Sequence, residues 1–249
     1  MARRALGVLT FAIAAIIAVF VLSDAIPQNP AYHNFSDTRT LFGVRNFYNV
    51  ASNLPFLIVG LAGLVYVHRY ADQVCVAGLQ TAYSVFFAGI FLTAFGSAYY
   101  HLHPGNAALV WDRLPMTIGF AGLVSIVVGE YFSARSAKML LVPLLLAGFA
   151  SVEFWDFTET RGAGDLRPYA IVQFLPMLLI PVVLLTQKPL FGEARYFWWM
   201  IGWYFLAKFF EYVDAAVFGL GQVVSGHSIK HLVAAMTPAV FLYALSRRR

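Results

Sequence analysis

Stretches of about 20 mostly apolar residues recur along the whole chain, and that is the length an α-helix needs to cross a hydrocarbon core. Inside lipid only helices and closed barrels satisfy their own backbone polar groups, so runs this long read as helices. Eight spans are expected, near 7–25, 47–68, 80–102, 108–130, 137–155, 168–187, 196–218 and 227–246. Composition agrees. The chain has 249 residues, 60% hydrophobic and 12% charged, about half the charged share of a soluble domain. The expected fold class is all-α: a polytopic membrane protein, one membrane domain over 1–249, with a seven-transmembrane-helix core and one extra N-terminal helix at 7–25. Arg3 and Arg4 precede that first run as they would a signal peptide. The run is long for one, however, and no small-x-small site clearly follows, so an uncleaved helix is expected.

Lys and Arg suggest an orientation. With the N-terminus inside, the inner segments hold Arg3, Arg4, Arg69, Arg135, Lys138, Lys188, Arg195, Arg247, Arg248 and Arg249, against Arg39, Arg45, Arg161 and Arg167 outside. Both termini are then cytoplasmic, and the longest loops, 26–46 and 156–167, face the outer (periplasmic or lumenal) side. The net charge of +5 does not point to nucleic acid, because the basic residues sit at segment ends rather than on one soluble face. The lipid bilayer is the expected partner, with no obligate protein partner evident. The single cysteine, Cys75, excludes an intramolecular disulfide and a Cys-based zinc site.

Ionisable groups inside spans are costly and default to function. Three histidines stand out. His227 and His231 are four residues apart, so one helix aims both imidazoles at one point. His101 closes another span, and Ser97, four residues earlier, shares its face. Asp112 follows on the next span. Under the expected topology His101, Asp112, His227 and His231 all lie at the outer ends of their spans. Asn49, Ser52 and Asn53 lie at the same depth, with Asp214 near it and Lys208 and Glu211 on the same span as Asp214. Three neutral imidazoles with one open position are the donor set of a catalytic zinc, which lowers the pKa of a bound water to about 7. Asp112 fits a proton acceptor and donor beside that water, and Ser97 an oxyanion donor. Asn49, Ser52, Asn53, Lys208, Glu211 and Asp214 are candidates for orienting the ligands from behind.

At these residues the chain resembles the alkaline ceramidase family, as a bacterial-type member. That family belongs to a wider group of seven-helix membrane hydrolases with the adiponectin receptors and the Per1-type lipid-remodelling proteins. The pattern is Ser-x-x-x-His, an Asp eleven residues later and a late His-x-x-x-His: here Ser97, His101, Asp112, His227 and His231. Asp112-x-Leu114-Pro115-Met116 and Asn49-Val50-Ala51-Ser52-Asn53 also match, and the likeness covers roughly 46–246. The resemblance implies a zinc-dependent amidase that hydrolyses ceramide or another N-acyl lipid, with zinc-bound water attacking the amide carbonyl. Eukaryotic alkaline ceramidases also carry an acidic calcium-binding segment. The matching stretch here, Tyr32 to Asp37, has one carboxylate, Asp37, so Ca2+ has little to hold it. Lys230 stands where an aromatic residue usually precedes the last histidine.

Plainer readings coexist with these. The histidines would be buried and satisfied by carbonyls. Asp112 would cap a helix with Pro115 in its first turn, and Ser97 would bond its own helix's carbonyl. Asn49, Ser52 and Asn53 would join helices, and Lys208 and Glu211 would neutralise each other. Two other function classes also compete. A transporter or channel for protons or metal ions predicts polar groups through the whole depth. A heptahelical receptor or photoreceptor would need a retinal-bearing Lys deeper than Lys230.

Overall fold

The computed structural model describes residues 2–248, with side chains from Ala5 onward. Arg249 and the side chains of Arg3 and Arg4, three of the basic residues counted as inside, lie outside the described residues. The chain is all-helical, with no strand among the described residues. The helices are α1 (Ala2–Leu22), α2 (Phe47–Ala51), α3 (Leu54–Val74), α4 (Gln80–Leu102), α5 (Asn106–Tyr131), α6 (Ala134–Glu159), α7 (Arg167–Thr186), α8 (Ala194–Tyr212), α9 (Asp214–Gly219) and α10 (Gly226–Ser246). A 3-10 turn, Pro30–His33, sits in the loop after α1.

Among the described residues seven helical segments are long and apolar enough to cross a membrane: α1, α2 with α3, α4, α5, α6, α7 and α10. α8 is comparable in length but carries Arg195, Lys208 and Glu211 and is not among them. It is nonetheless part of the bundle. α3, α4, α5, α6, α7, α8 and α10 pack in that order into a closed ring, since α10 returns to α3, and α1 lies outside against α7. The span of α1 buries none of its residues within the protein. Its end is tied down by Arg167 Nη1, which donates to the Ser23 carbonyl at 2.6 Å.

Two expected spans are broken helices, and both breaks serve the same end of the bundle. The span expected at 47–68 is α2 and α3, interrupted at Ser52 and Asn53. Pro55 is the cause: it has no N–H, and its ring excludes the carbonyl four residues back, Ala51, where α2 stops. The break frees the Asn49 carbonyl, which then accepts from Ser52 Oγ at 3.1 Å and Asn53 Nδ2 at 2.8 Å. The span expected at 196–218 is α8 and α9, broken at Val213 (φ −95°, ψ 20°).

α4 and α5 approach backbone to backbone, as small residues permit between apolar helices. Pro115 leaves the Trp111 carbonyl without its helical donor. Gly96 is the α4 residue that faces this carbonyl, and a Cβ there would overlap its oxygen. α5 begins at Asn106 with Gly105 as its N-cap, so Asp112 lies well inside the helix and does not cap it.

At the far end of the bundle is a buried polar cluster absent from the sequence reading. Arg248 Nη1 and Nη2 donate to Glu130 Oε1 and Oε2 at 2.8 and 2.9 Å, and Tyr83 OH donates to Glu130 at 2.6 Å. The buried aromatic rings of Phe86, Phe87, Phe197 and Phe241 pack next to this end of the bundle.

Candidate metal centre

His101 comes from the last turn of α4, and His227 and His231 from the first turns of α10. α10 starts where it does because Ser225 caps it, accepting from Ser228 N–H at 3.1 Å. All three histidines are buried. Their donor atoms lie within 4.8 Å of one another. His101 Nε2 is 3.3 Å from His231 Nε2 and 3.4 Å from His227 Nε2. Ligands about 2.05 Å from a tetrahedral zinc are separated by about 3.3 Å, so the two pairs that include His101 stand at the spacing of that ion's ligands. A proton shared between two Nε2 atoms satisfies one pair, whereas three converging nitrogens leave lone pairs opposed, which a cation relieves.

The ring behind each ligand nitrogen is held differently. His231 Nδ1 is 2.8 Å from Ser52 Oγ. Because Ser52 donates its own proton to Asn49 O, it accepts from His231, which puts the ring proton on Nδ1 and leaves Nε2 free for a metal. His101 Nδ1 is buried without a hydrogen-bond partner; its ring is held by packing against Phe35 (4.7 Å between centroids) and Tyr100 (5.0 Å). Phe35 also covers His227, at 4.9 Å.

The other expected supporting residues act on the backbone. Asp214, just past the break in α8, accepts from His227 N–H at 2.7 Å and Ser36 N–H at 3.1 Å. Asn49 accepts from Ser228 Oγ at 2.8 Å and donates to Asp37 O at 3.1 Å. Asn53 donates to the Asn49 carbonyl. Lys208 and Glu211 do neutralise each other (2.6 Å), but Lys230 joins them at 2.9 Å, and the trio lines a cavity rather than backing a histidine.

Loop 26–46 closes the site end of the bundle. Phe35 sits on the histidines, and Asn46 Nδ2 donates to the His101 carbonyl at 2.7 Å. His33 bridges Tyr100 OH (2.9 Å) and Asn106 Oδ1 (2.8 Å). Asp37 is ion-paired with Arg39 at 2.6 Å, and Arg39 also reaches the Val223 carbonyl. Burial pushes the Asp37 carboxyl up, but the Arg39 hydrogen bonds outweigh this and hold it below the usual carboxylate range.

Ser97 and Asp112 lie together. The Ser97 hydroxyl hydrogen-bonds the Asp112 carboxylate. The back-bond to a carbonyl four residues earlier is made by Thr93 instead, to Gly89 at 2.8 Å. Both residues, with His231, line a cavity of about 480 Å³ that continues among Phe86, Ile90, Leu123, Met177, Ile180 and Met200. The cavity therefore has a polar end at His231, Ser97 and Asp112 and a long apolar body.

Phe35, Asn46 and Arg113 were not picked out as site residues from sequence. Phe35 and Asn46 lie in a loop with no periodicity to flag them. Arg113 carried a usable signal, a charge inside an apolar span. Comparison with protein-family models gives no match, and neither does comparison with curated proteins.

Proposed function

We propose that this protein is a zinc-dependent membrane amidase of the alkaline ceramidase type, hydrolysing ceramide or another N-acyl lipid. One observation carries the reading: His227 and His231 each bring Nε2 to zinc spacing from His101 Nε2, all three donor atoms lying within 4.8 Å of one another, and His231 opens on a cavity that also holds Ser97 and Asp112.

His101, His227 and His231 would hold the ion. A zinc there supplies Lewis acidity, polarising an amide carbonyl and making a water acidic near neutral pH. The apolar cavity body takes an acyl chain and keeps bulk water away from the amide. Asp112 takes up a proton at its carboxylate and returns it to the departing amine nitrogen. Before that transfer Ser97 donates to Asp112. Once Asp112 is protonated, the Ser97 hydroxyl is released toward the negative charge growing on the carbonyl oxygen. Phe35 and the loop around it seal the histidines from above.

The distribution of basic residues supports a sidedness in which this end faces the periplasm or lumen, with both termini in the cytoplasm. A proton or metal channel is disfavoured by the aromatic packing of Phe86, Phe87 and Phe241 next to the Glu130 end. A retinal Schiff base is disfavoured by Lys230, which is ion-paired with Glu211 in the first turns of α10.

The test is metal analysis of purified protein together with hydrolysis assays on a panel of lipid amides. The expected result is about one zinc per chain, amide cleavage that stops on chelation and returns with zinc, and loss of both metal and activity in His231→Ala. A zinc-loaded protein that cleaves no lipid amide would overturn the reading.

A further inference from the structure

The cavity's polar end carries more positive charge than the protein itself neutralises. Asp112, Arg113, Lys208, Glu211 and Lys230 all line it. Glu211 is shared between Lys208 and Lys230. Arg113 is 6% exposed, yet no carboxylate lies within ion-pair distance of it among the described residues. Its guanidinium stacks on Trp155 (4.0 Å to the ring centroid) and Tyr169 (4.7 Å). Nη2 donates to Gln28 Oε1 at 2.6 Å. Nη1 is buried with no partner, and so is the indole Nε1 of the adjoining Trp155.

A buried guanidinium is retained at a cost unless an anion meets it, and stacking on aromatic rings offsets only part of that cost. A guanidinium that lines the cavity with one N–H group unmet and no carboxylate beside it describes a place for an acceptor-rich group. Arg113 follows Asp112 directly on α5, so the place lies within one residue's reach of the carboxylate that serves the amide. It lies beside Gln28 of the closing loop, which Arg113 meets at 2.6 Å and which also lines the cavity.

We propose that the lipid bound here carries an anionic head group, a carboxylate or phosphate ester close to the amide nitrogen, and that Arg113 binds it. This rests on the amidase reading for the position of the amide. It narrows the substrate to acidic N-acyl lipids such as N-acyl amino acids, in place of the neutral alcohol head group of ceramide. Arg suits the task because its fork offers parallel donors to two oxygens of one anion.

The test uses the full-length, zinc-loaded protein in nanodiscs with four probes. N-palmitoylglycine and phosphorylated N-palmitoylethanolamine are the carboxylate and phosphate arms. N-palmitoylglycine methyl ester and N-palmitoylethanolamine are their neutral counterparts. Equilibrium binding and kcat/KM are both measured. At least one acid should bind about 10- to 100-fold more tightly than its neutral counterpart, the range of one charge-assisted hydrogen bond. The arm with the larger ratio identifies carboxylate or phosphate. Arg113→Gln should collapse the acid-to-neutral ratio toward one, and Arg113→Lys should keep part of it. A merely structural Arg113 would weaken acid and neutral probes alike.

Equal affinity of the wild-type protein for acid and neutral probes overturns the proposal without any variant, as does an undiminished ratio in Arg113→Gln. If the protein cleaves neutral amides and shows no preference, the amidase reading stands and this one falls. If it cleaves nothing yet binds the acids with an Arg113-dependent preference, the amidase reading falls and the anion site stands.

Discussion

Among the described residues Ser52 is the one supporting side chain that touches a ligand imidazole by hydrogen bond, so Ser52→Ala probes how far metal affinity depends on residues behind the ligands. The Ser52 hydroxyl has one proton, directed to the Asn49 carbonyl at 3.1 Å, and it accepts from His231 Nδ1 at 2.8 Å. Alanine removes one oxygen and leaves hardly any cavity, so the packing loss is small. What is lost is the acceptor that fixes the His231 tautomer. The Nδ1–H is then left with only the Asn49 carbonyl near it, and losing the bond to the hydroxyl costs about 1 kcal/mol. The ring can escape that cost by rotating or by moving its proton to Nε2, and both take the ligand lone pair away from the metal. Zinc affinity should therefore fall about 10- to 100-fold, as for other groups that support metal ligands. The apo protein should stay folded, because Asn53 Nδ2 still serves the Asn49 carbonyl. The assay is competition for zinc against a chelator of known affinity, with the melting temperature of the apo protein read in parallel. Ser52→Thr, which keeps the hydroxyl, should bind zinc better than Ser52→Ala. Unchanged zinc affinity in Ser52→Ala alongside a lower apo melting temperature would refute the reasoning and reduce Ser52 to a support for the helix break.

Asp112→Asn should keep its zinc and lose activity by about 10²- to 10⁴-fold, because the amide cannot accept a proton; unchanged turnover would leave Asp112 no part in the chemistry. Gly96→Ala should destabilise the protein by roughly 1–3 kcal/mol through the clash with the Trp111 carbonyl, although Ala gains about 1 kcal/mol of helix propensity over Gly. A thermal melt gives the sign, and a more stable variant would mean that α4 and α5 part easily. The Asp37 carboxyl is held below its unfolded value, so the stability it contributes is complete above about pH 4 and is lost as pH falls through its lower folded pKa. The melting-temperature gap between wild type and Asp37→Asn should be level around neutrality and close on acidification below that point; a gap that instead closes toward alkaline pH would contradict the assignment. Reporter fusions at the C-terminus and in loop 156–167 should report cytoplasm and the opposite side respectively, and a C-terminus found outside would reverse the proposed sidedness of the site.

Helices and most of their ends were legible in the sequence, since runs of about 20 apolar residues have few ways to satisfy a backbone in lipid. The pairing of His227 with His231 was legible too, because a four-residue step repeats one face of a helix. So was the depth shared with His101 and Asp112, because in a bundle of spanning helices position along a span is depth. Tertiary structure decided everything that depends on distance across the bundle or on irregular backbone. The 3.3 and 3.4 Å separations of the Nε2 atoms require α10 to meet α4, which no local pattern encodes. Pro55 hinted at a helix start, but only the folded chain shows that the resulting break turns Ser52, rather than Asn49 or Asn53, onto the His231 ring. Phe35 covers the histidines from a loop whose course is set by Asp214, Asn49 and Tyr100, residues distant in sequence. Arg113 was visible as a charge in an apolar span, but a side chain's missing partner becomes apparent only when all its neighbours are in place. Local periodicity is written in the order of residues, whereas the charge balance of this cavity is a sum over α5, α8 and α10, helices distant in sequence.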